Sequence, residues 1–127
     1  MLKRFGVLLG LAAGMAGGML EARGADTAPL IEAIRGVDSE GKGAKAAAQA
    51  FQKLSQEGPT AIPGLLTAMD GANPLASNYL RNAVENIVAK TRKAKGTLPL
   101  AEIEAFLKDT KHEPRARRLA FEILVAT

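Results

Sequence analysis

The chain has 127 residues, which is enough for one domain but not for two. It contains no cysteine, which excludes disulfides and thiol chemistry. The net charge is +4, but residues 1–24 carry three basic residues and one acidic residue, which leaves 14 Lys+Arg against 12 Asp+Glu, a net of +2. A charge this small gives no global case for nucleic-acid binding.

The first two dozen residues have the pattern of a targeting segment. Lys3 and Arg4 precede an uncharged apolar run over 5–20, and Ala22-Arg23-Gly24 offers small residues at the positions that a signal peptidase reads. This order predicts a secretory signal peptide over 1–24 and an exported protein, periplasmic or extracellular. The alternative is a retained membrane anchor, although the apolar run is shorter than the ~20 residues that span a bilayer.

Beyond the signal, apolar residues recur at helical spacing, and no sustained alternation predicts a strand. The first two predicted helices have apolar faces formed by Leu30, Ile31, Ile34 and Val37, and by Ala44, Ala47, Ala48, Phe51 and Leu54. Gly58-Pro59 ends the second helix. We expect Thr60 to cap the third helix and Gly71 to end it, because glycine often closes a helix in the left-handed conformation.

The fourth helix has the clearest boundaries. Asn73 is placed to cap it, Pro74 to begin it and Gly96 to end it, after a basic last turn. Pro99 opens the fifth predicted helix, and Pro114 opens the sixth. The apolar residues of these three helices are Ala76, Leu80, Ala83, Val84, Ile87 and Val88; Ile103, Phe106 and Leu107; and Ala116, Leu119, Ala120, Ile123 and Leu124.

An internal repeat organises the six predicted helices into pairs. The second helix of each pair carries Ala50-x-x-x-Leu54, Ala83-x-x-x-Ile87 or Ala120-x-x-x-Leu124, each with an apolar residue after the alanine. One helix pair cannot bury both of its faces, so repeated pairs are expected to stack and share a core.

These repeats resemble the HEAT-repeat family. The resemblance is carried by 62–70 followed by 81–87, and by 103–109 followed by 117–124, with a Pro early in the first helix, an Asp near the turn and an Arg early in the second helix. The first pair departs from it, having alanine where the Arg would stand. The resemblance implies an all-α domain over 25–127, a short right-handed α-solenoid of about three antiparallel helix hairpins. It also implies an interaction scaffold.

The repeat register predicts a recognition face. Aligning the three alanines places Lys45 with Asn78 and Arg115, Arg81 with Arg118, and Glu85 with Glu122, away from the apolar residues. We expect polar columns on the outer faces of the second helices. The predicted partner-binding residues are Lys45, Asn78, Arg81, Glu85, Arg115, Arg118 and Glu122.

No group of residues predicts catalysis, a metal site or a cofactor site. His112 is the only histidine and lies in a polar turn, so neither a zinc set nor a hydrolytic triad is expected. The basic residues at the end of the fourth helix are interpreted as complements to its dipole, and those around the sixth as a solvated face. The alternative interpretation is that these basic residues bind an anionic partner. Because no aromatic residues lie among them, single-stranded nucleic acid is not favoured as that partner.

The last predicted helix has apolar residues on more than one side. Phe121, Ile123 and Val125 lie beside the stripe of Leu119, Ala120 and Leu124, and the last turn has no capping Lys or Arg of its own. A solenoid needs a polar outer face at its ends, so this hairpin is expected to self-associate or to meet a further repeat. The sequence thus predicts a non-catalytic scaffold module that binds a protein; the alternative is an N-terminal accessory region of a larger envelope enzyme or transport assembly.

Overall fold

The computed structural model describes residues 27–38 and 40–127, and these ranges contain helices joined by short turns and no strand. The all-α prediction is therefore confirmed, whereas the predicted signal peptide and its cleavage site lie outside the described residues. The helices are α1 (27–35), α2 (Ala44–Leu54), α3 (Ile62–Ala68), α4 (Pro74–Lys93), α5 (Leu100–Lys108) and α6 (Pro114–Val125).

Helix α4 begins as expected, whereas α3 ends at Ala68 with Met69 as its C-cap, and Gly71 follows two residues later in the turn. Gly71 adopts a φ of 72°, a left-handed conformation that residues with a Cβ avoid. The Asn73 side chain then accepts a hydrogen bond of 2.8 Å from the backbone N–H of Ala76, in the first turn of α4. This N-cap satisfies one of the amides that a helix start leaves without a partner.

The prediction for Thr60 is wrong. A 3₁₀ turn over Pro59–Ala61 precedes α3, so Thr60 lies inside that turn and its side chain caps no helix. The backbone N–H of Ala61 bonds back to the carbonyl of Gly58. This local bond satisfies a backbone N–H before α3 that a side-chain cap would otherwise have to satisfy.

The end of α4 also differs in detail from the prediction. Lys95, not Gly96, has a positive φ of 58°. The N–H of Gly96 bonds to the carbonyl of Thr91 and that of Lys95 to the carbonyl of Arg92, which is the hydrogen-bond pattern of a Schellman motif. A Cβ at Gly96 would lie 3.1 Å from Cγ2 of Thr91, a tight contact that would require the Thr91 side chain to shift by a few tenths of an ångström.

Helices α3 and α4 each pack against three other helices. Helix α4 packs against α3, which precedes it, and it also contacts α2 and α6; α5 packs against α6 and α3. The shared interior is almost entirely aliphatic and includes Ile34, Leu54, Ile62, Leu65, Leu66, Leu80, Val84, Ile87, Ile103 and Leu119.

The three repeated alanines are all buried, as the repeat register predicts. The residues that follow them differ. Val84 is fully buried and Phe51 is partly buried, whereas Phe121 is 52% exposed. Ile123, expected beside the core, belongs to it, and Leu124 is only partly buried. The repeat therefore predicts which helix face turns inward, but the cover over that face ends at α6.

Candidate functional site

Four of the predicted face residues form one network of ion pairs between α4 and α6. Arg81 lies 3.1 Å from Glu122 on the neighbouring helix and 3.4 Å from Glu85 on its own. Arg118 lies 3.4 Å from the other carboxylate oxygen of Glu122. Each of these side chains is at least 39% exposed, so the pairs contribute little to the stability of the fold. The Arg81–Glu122 pair is the one of the three that joins the two helices.

The remaining column consists of Lys45 on α2, Asn78 on α4 and Arg115 on α6. All three residues are exposed. Within the described part of the chain their side chains make no hydrogen bond or ion pair. Their donors are therefore free to bind groups of another molecule.

A polar cluster joins the turn after α3 to the turn between α5 and α6. Asp70 accepts a 2.8 Å hydrogen bond from the backbone N–H of Glu113, and its other carboxylate oxygen lies 2.5 Å from Nδ1 of His112. An ionised carboxylate only accepts, so Nδ1 carries the proton in this contact. The His112 ring stacks on Phe106 with centroids 3.8 Å apart, and its Nε2 lies 3.5 Å from Asp109.

The charged form of Asp70 is stabilised by this surrounding. Partial burial alone would raise its pKa, but the hydrogen bonds from the Glu113 amide and His112, together with the charges of His112 and Arg35, outweigh burial. The pKa of Asp70 is therefore below its ordinary value. The arrangement serves to hold the two turns together, in keeping with the interpretation of His112 as a structural turn residue.

The turn that joins α1 to α2 is likewise linked by hydrogen bonds to the turn that joins α3 to α4. The Arg35 guanidinium donates to the backbone carbonyls of Ala68 and Asp70 at the end of α3. The Asn73 amide nitrogen donates to the carbonyl of Val37. Sequence reasoning missed these contacts, since the partners lie 33 to 43 residues apart in the chain. Only the placement of Asp70 at a turn gave a signal.

The basic last turn of α4 caps its neighbours and not only its own dipole. Lys90 Nζ donates to the carbonyl of Ser55, the C-cap residue of α2. Arg92 donates to the carbonyl of Ile123 and to the Thr127 hydroxyl at the end of α6, each at 2.9 Å. The last turn of α6 has no basic residue of its own, as expected, and α4 supplies the cap instead. Both residues have structural partners, which weakens the alternative that this cluster binds an anion.

The outer side of α6 carries a shallow groove that shares Arg118 and Glu122 with the predicted face but otherwise lies outside it. It is lined by Leu107, Pro114, Arg117, Arg118, Phe121 and Glu122. Arg117 donates through Nε to the carbonyl of Leu107, which caps the end of α5. Phe121 and Val125 are the two most exposed large apolar side chains among the described residues, at 52% and 64%.

Within residues 27–38 and 40–127, no group of three or more His, Cys, Asp or Glu side chains is placed to hold a metal ion. None of the helices in these ranges is both long and apolar enough to cross a membrane.

No family model matches the sequence, and no similar protein is found among curated proteins or among solved structures. The HEAT-like interpretation therefore depends on the residues and contacts of this chain alone.

Proposed function

We propose that this chain is an exported HEAT-like module that binds a protein partner through the outer faces of α2, α4 and α6 and has no catalytic activity of its own. The observation that supports this most is the placement of α4 in contact with both α2 and α6. Stacked hairpins bring their second helices together in this order and so create one continuous surface.

The chemistry of that surface supports a binding role. Its ion-pair network holds Arg81 and Glu122 in fixed positions, while Lys45, Asn78 and Arg115 keep free donors beside it. Polar groups that stay solvated in the free protein and meet complementary groups on docking confer specificity and a faster association rate.

Charge reversal of the free column tests this proposal. We expect Lys45→Glu with Arg115→Glu to abolish capture of the partner from an envelope extract, with unchanged helicity and melting temperature. The matched control is Lys53→Glu with Lys93→Glu, which changes the charge equally at two exposed positions outside the column. Equal capture by both double variants would refute the assignment of the face.

Arg81 is unsuitable for this test, although the alignment alone would choose it with Arg118. Arg81→Glu would place a carboxylate beside those of Glu85 and Glu122. Loss of capture would then be confounded with a weaker contact between α4 and α6.

Export is tested separately. Mass spectrometry of the protein from its host should find a mature N-terminus at Ala25 or Asp26, as the small residues before Ala25 predict. Intact Met1 in the soluble cytoplasmic fraction would contradict export.

The second candidate function is an accessory region of a larger envelope enzyme or transport assembly. The exposed Phe121 and Val125 on α6 favour it, because apolar side chains on one helix face mark surfaces that another element covers. Co-purification of a stoichiometric enzyme or transporter subunit would support it over a free-standing scaffold.

A further inference from the structure

We propose that the outer face of α6, centred on Phe121 and Arg118, docks an acidic amphipathic helix of another protein. This inference rests on the proposed role as an interaction module and adds the chemical class of the partner. It places a partner at a surface beside, and partly distinct from, the free column of Lys45, Asn78 and Arg115.

The two earlier counterparts of Phe121 are covered within the molecule. Phe51 of α2 meets Tyr79 of α4, with ring centroids 5.9 Å apart. Val84 of α4 is fully buried. Phe121 has the same place in the repeat and is 52% exposed. Because the residue that meets Phe51 belongs to a helix, α4, a helix is the shape that fits over Phe121.

The charges specify the helix further. Arg81 of α4 forms an ion pair of 3.1 Å with Glu122 of α6, the second helix of the next pair. Arg118 is the counterpart of Arg81, but its one ion pair within the described residues is with Glu122 on its own helix, and its side chain is 77% exposed. A carboxylate of the partner helix would therefore form an ion pair with Arg118, as Glu122 does with Arg81.

The groove around Phe121 has an excess of positive charge. Arg117 and Arg118 line it against a single acidic residue, Glu122, which Arg81 already contacts. Leu107 and Pro114 are the other apolar residues that line it. An apolar centre beside two guanidinium groups is complementary to a helix with apolar residues on one face and carboxylates along its border.

A second copy of this chain fits the surface poorly. Helix α2, whose counterpart positions would continue the array, contains no acidic residue and exposes Lys45 and Lys53. Pairing α6 with α6 would bring two sets of Arg117 and Arg118 together against glutamates that are already paired. Like charges in an interface suppress association.

The test uses two synthetic helical peptides and the full chain purified as it accumulates in its host. Both peptides are capped and Ala-based, about 20 residues long so that a helix can form. Both peptides carry Leu and Tyr on one face of the helix. At the positions that border this face, one peptide has Glu and the other has Lys. Fluorescence anisotropy of the labelled peptides should show binding of the Glu peptide at least about tenfold tighter than of the Lys peptide.

Variants assign the binding to α6. Phe121→Ser should lose binding to both peptides, and Arg118→Glu should reverse the preference between them. Leu75→Ser is the control, since Leu75 is similarly exposed, at 40%, but lies at the start of α4. Melting temperatures confirm that each variant is folded.

Three results would overturn the proposal: no preference for the Glu peptide, unchanged binding by Phe121→Ser, or concentration-dependent dimers in light scattering that Phe121→Ser abolishes. The last would make a second copy the occupant. Because the capture test uses Lys45 and Arg115, failure of the proposed function and failure of this inference give different results.

Discussion

The carboxylate of Asp70 joins two turns that are more than 40 residues apart in the chain. One of its oxygens accepts from the Glu113 amide and the other contacts His112. Backbone amides have fixed directions, so this bond also sets the position at which α6 begins. Loss of the charge should therefore loosen the contact of the α5–α6 pair with α3.

The lowered pKa of Asp70 predicts how stability depends on pH. Because the pKa of Asp70 is lower in the folded state, its carboxylate stabilises the fold at pH values above the ordinary pKa of 3.8. This contribution disappears as the pH falls through the folded-state pKa. Asp70→Asn should therefore melt below wild type at pH 6, and the difference should shrink below pH 3.8. Thermal melts followed by circular dichroism measure this.

Glu102→Gln is the control for that series. Glu102 is exposed and has no partner within the described residues, so its substitution should leave the melting temperature nearly unchanged at both pH values. A constant difference between Asp70→Asn and wild type across the range would show that the charge of Asp70 is not what stabilises the turn.

Lys95 offers a second prediction for a single residue. Its φ of 58° strains any residue with a Cβ, whereas glycine adopts it freely. Lys95→Gly should stabilise the fold by about 0.5–1 kcal/mol, with a matching rise in melting temperature. Lys95→Ala keeps the strain and should not stabilise. If the alanine variant gained as much as the glycine variant, loss of the lysine charge would be the cause instead.

Helix α4 supplies caps to the helices on either side of it. Arg92 donates to the carbonyl of Ile123 in the last turn of α6 and to the hydroxyl of Thr127, which itself donates to Ile123. The last carbonyls of a helix lack partners within it, so a cation from a neighbour satisfies them. The position of α6 relative to α4 is thereby fixed at its far end.

Removing this cap should fray the end of α6. Arg92→Met should lower stability by about 0.5–1.5 kcal/mol and speed hydrogen exchange at the amides of the last turn of α6. Lys93→Met is the matched control, because Lys93 is exposed and its side chain makes no hydrogen bond or ion pair in the described part of the chain. Equal exchange in the two variants would mean that Arg92 does not cap α6.

The helices could be predicted from the sequence because their signals are local. Pro74 and Asn73 mark the start of α4 within a few residues, and the apolar spacing identifies its inner face. The prediction for Thr60 was wrong since a 3₁₀ turn competes with a cap over the same residues. The left-handed conformation of Lys95 was not predicted, because no local preference favours it for a lysine.

The candidate site could be predicted only in part. The repeat register predicted that Arg81 and Arg118, and Glu85 and Glu122, lie on one surface. Residues at equal distances along the chain from the buried alanine of their helix project from the same side of that helix. It could not separate Arg92 from Lys93, which are neighbours of the same charge. Their roles differ only through the position of α6, a tertiary contact with no local signal.

Across the whole molecule, stability should be greatest in α4. This helix contacts α2, α3 and α6 and contributes eight buried residues, including Leu80, Val84 and Ile87. Amides in such a helix exchange only when most of the fold opens, whereas flanking helices can open singly. Native-state hydrogen exchange should therefore be slowest in the middle of α4. Slower exchange in α2 or α6 would contradict this order.

The polar links between the helix pairs differ in their access to water at the two edges of the fold. At the turns within pairs, the hydrogen bonds of Arg35, Asn73 and Asp70 are partly buried. At the other ends of the helices, the bonds of Asn86 and Lys90 and the bond from Arg92 to the Thr127 hydroxyl are exposed. Water can replace an exposed hydrogen bond at little cost, whereas breaking a partly buried one leaves polar groups without a partner. Under a bending force, the helix pairs should therefore pivot about the first edge and separate at the second.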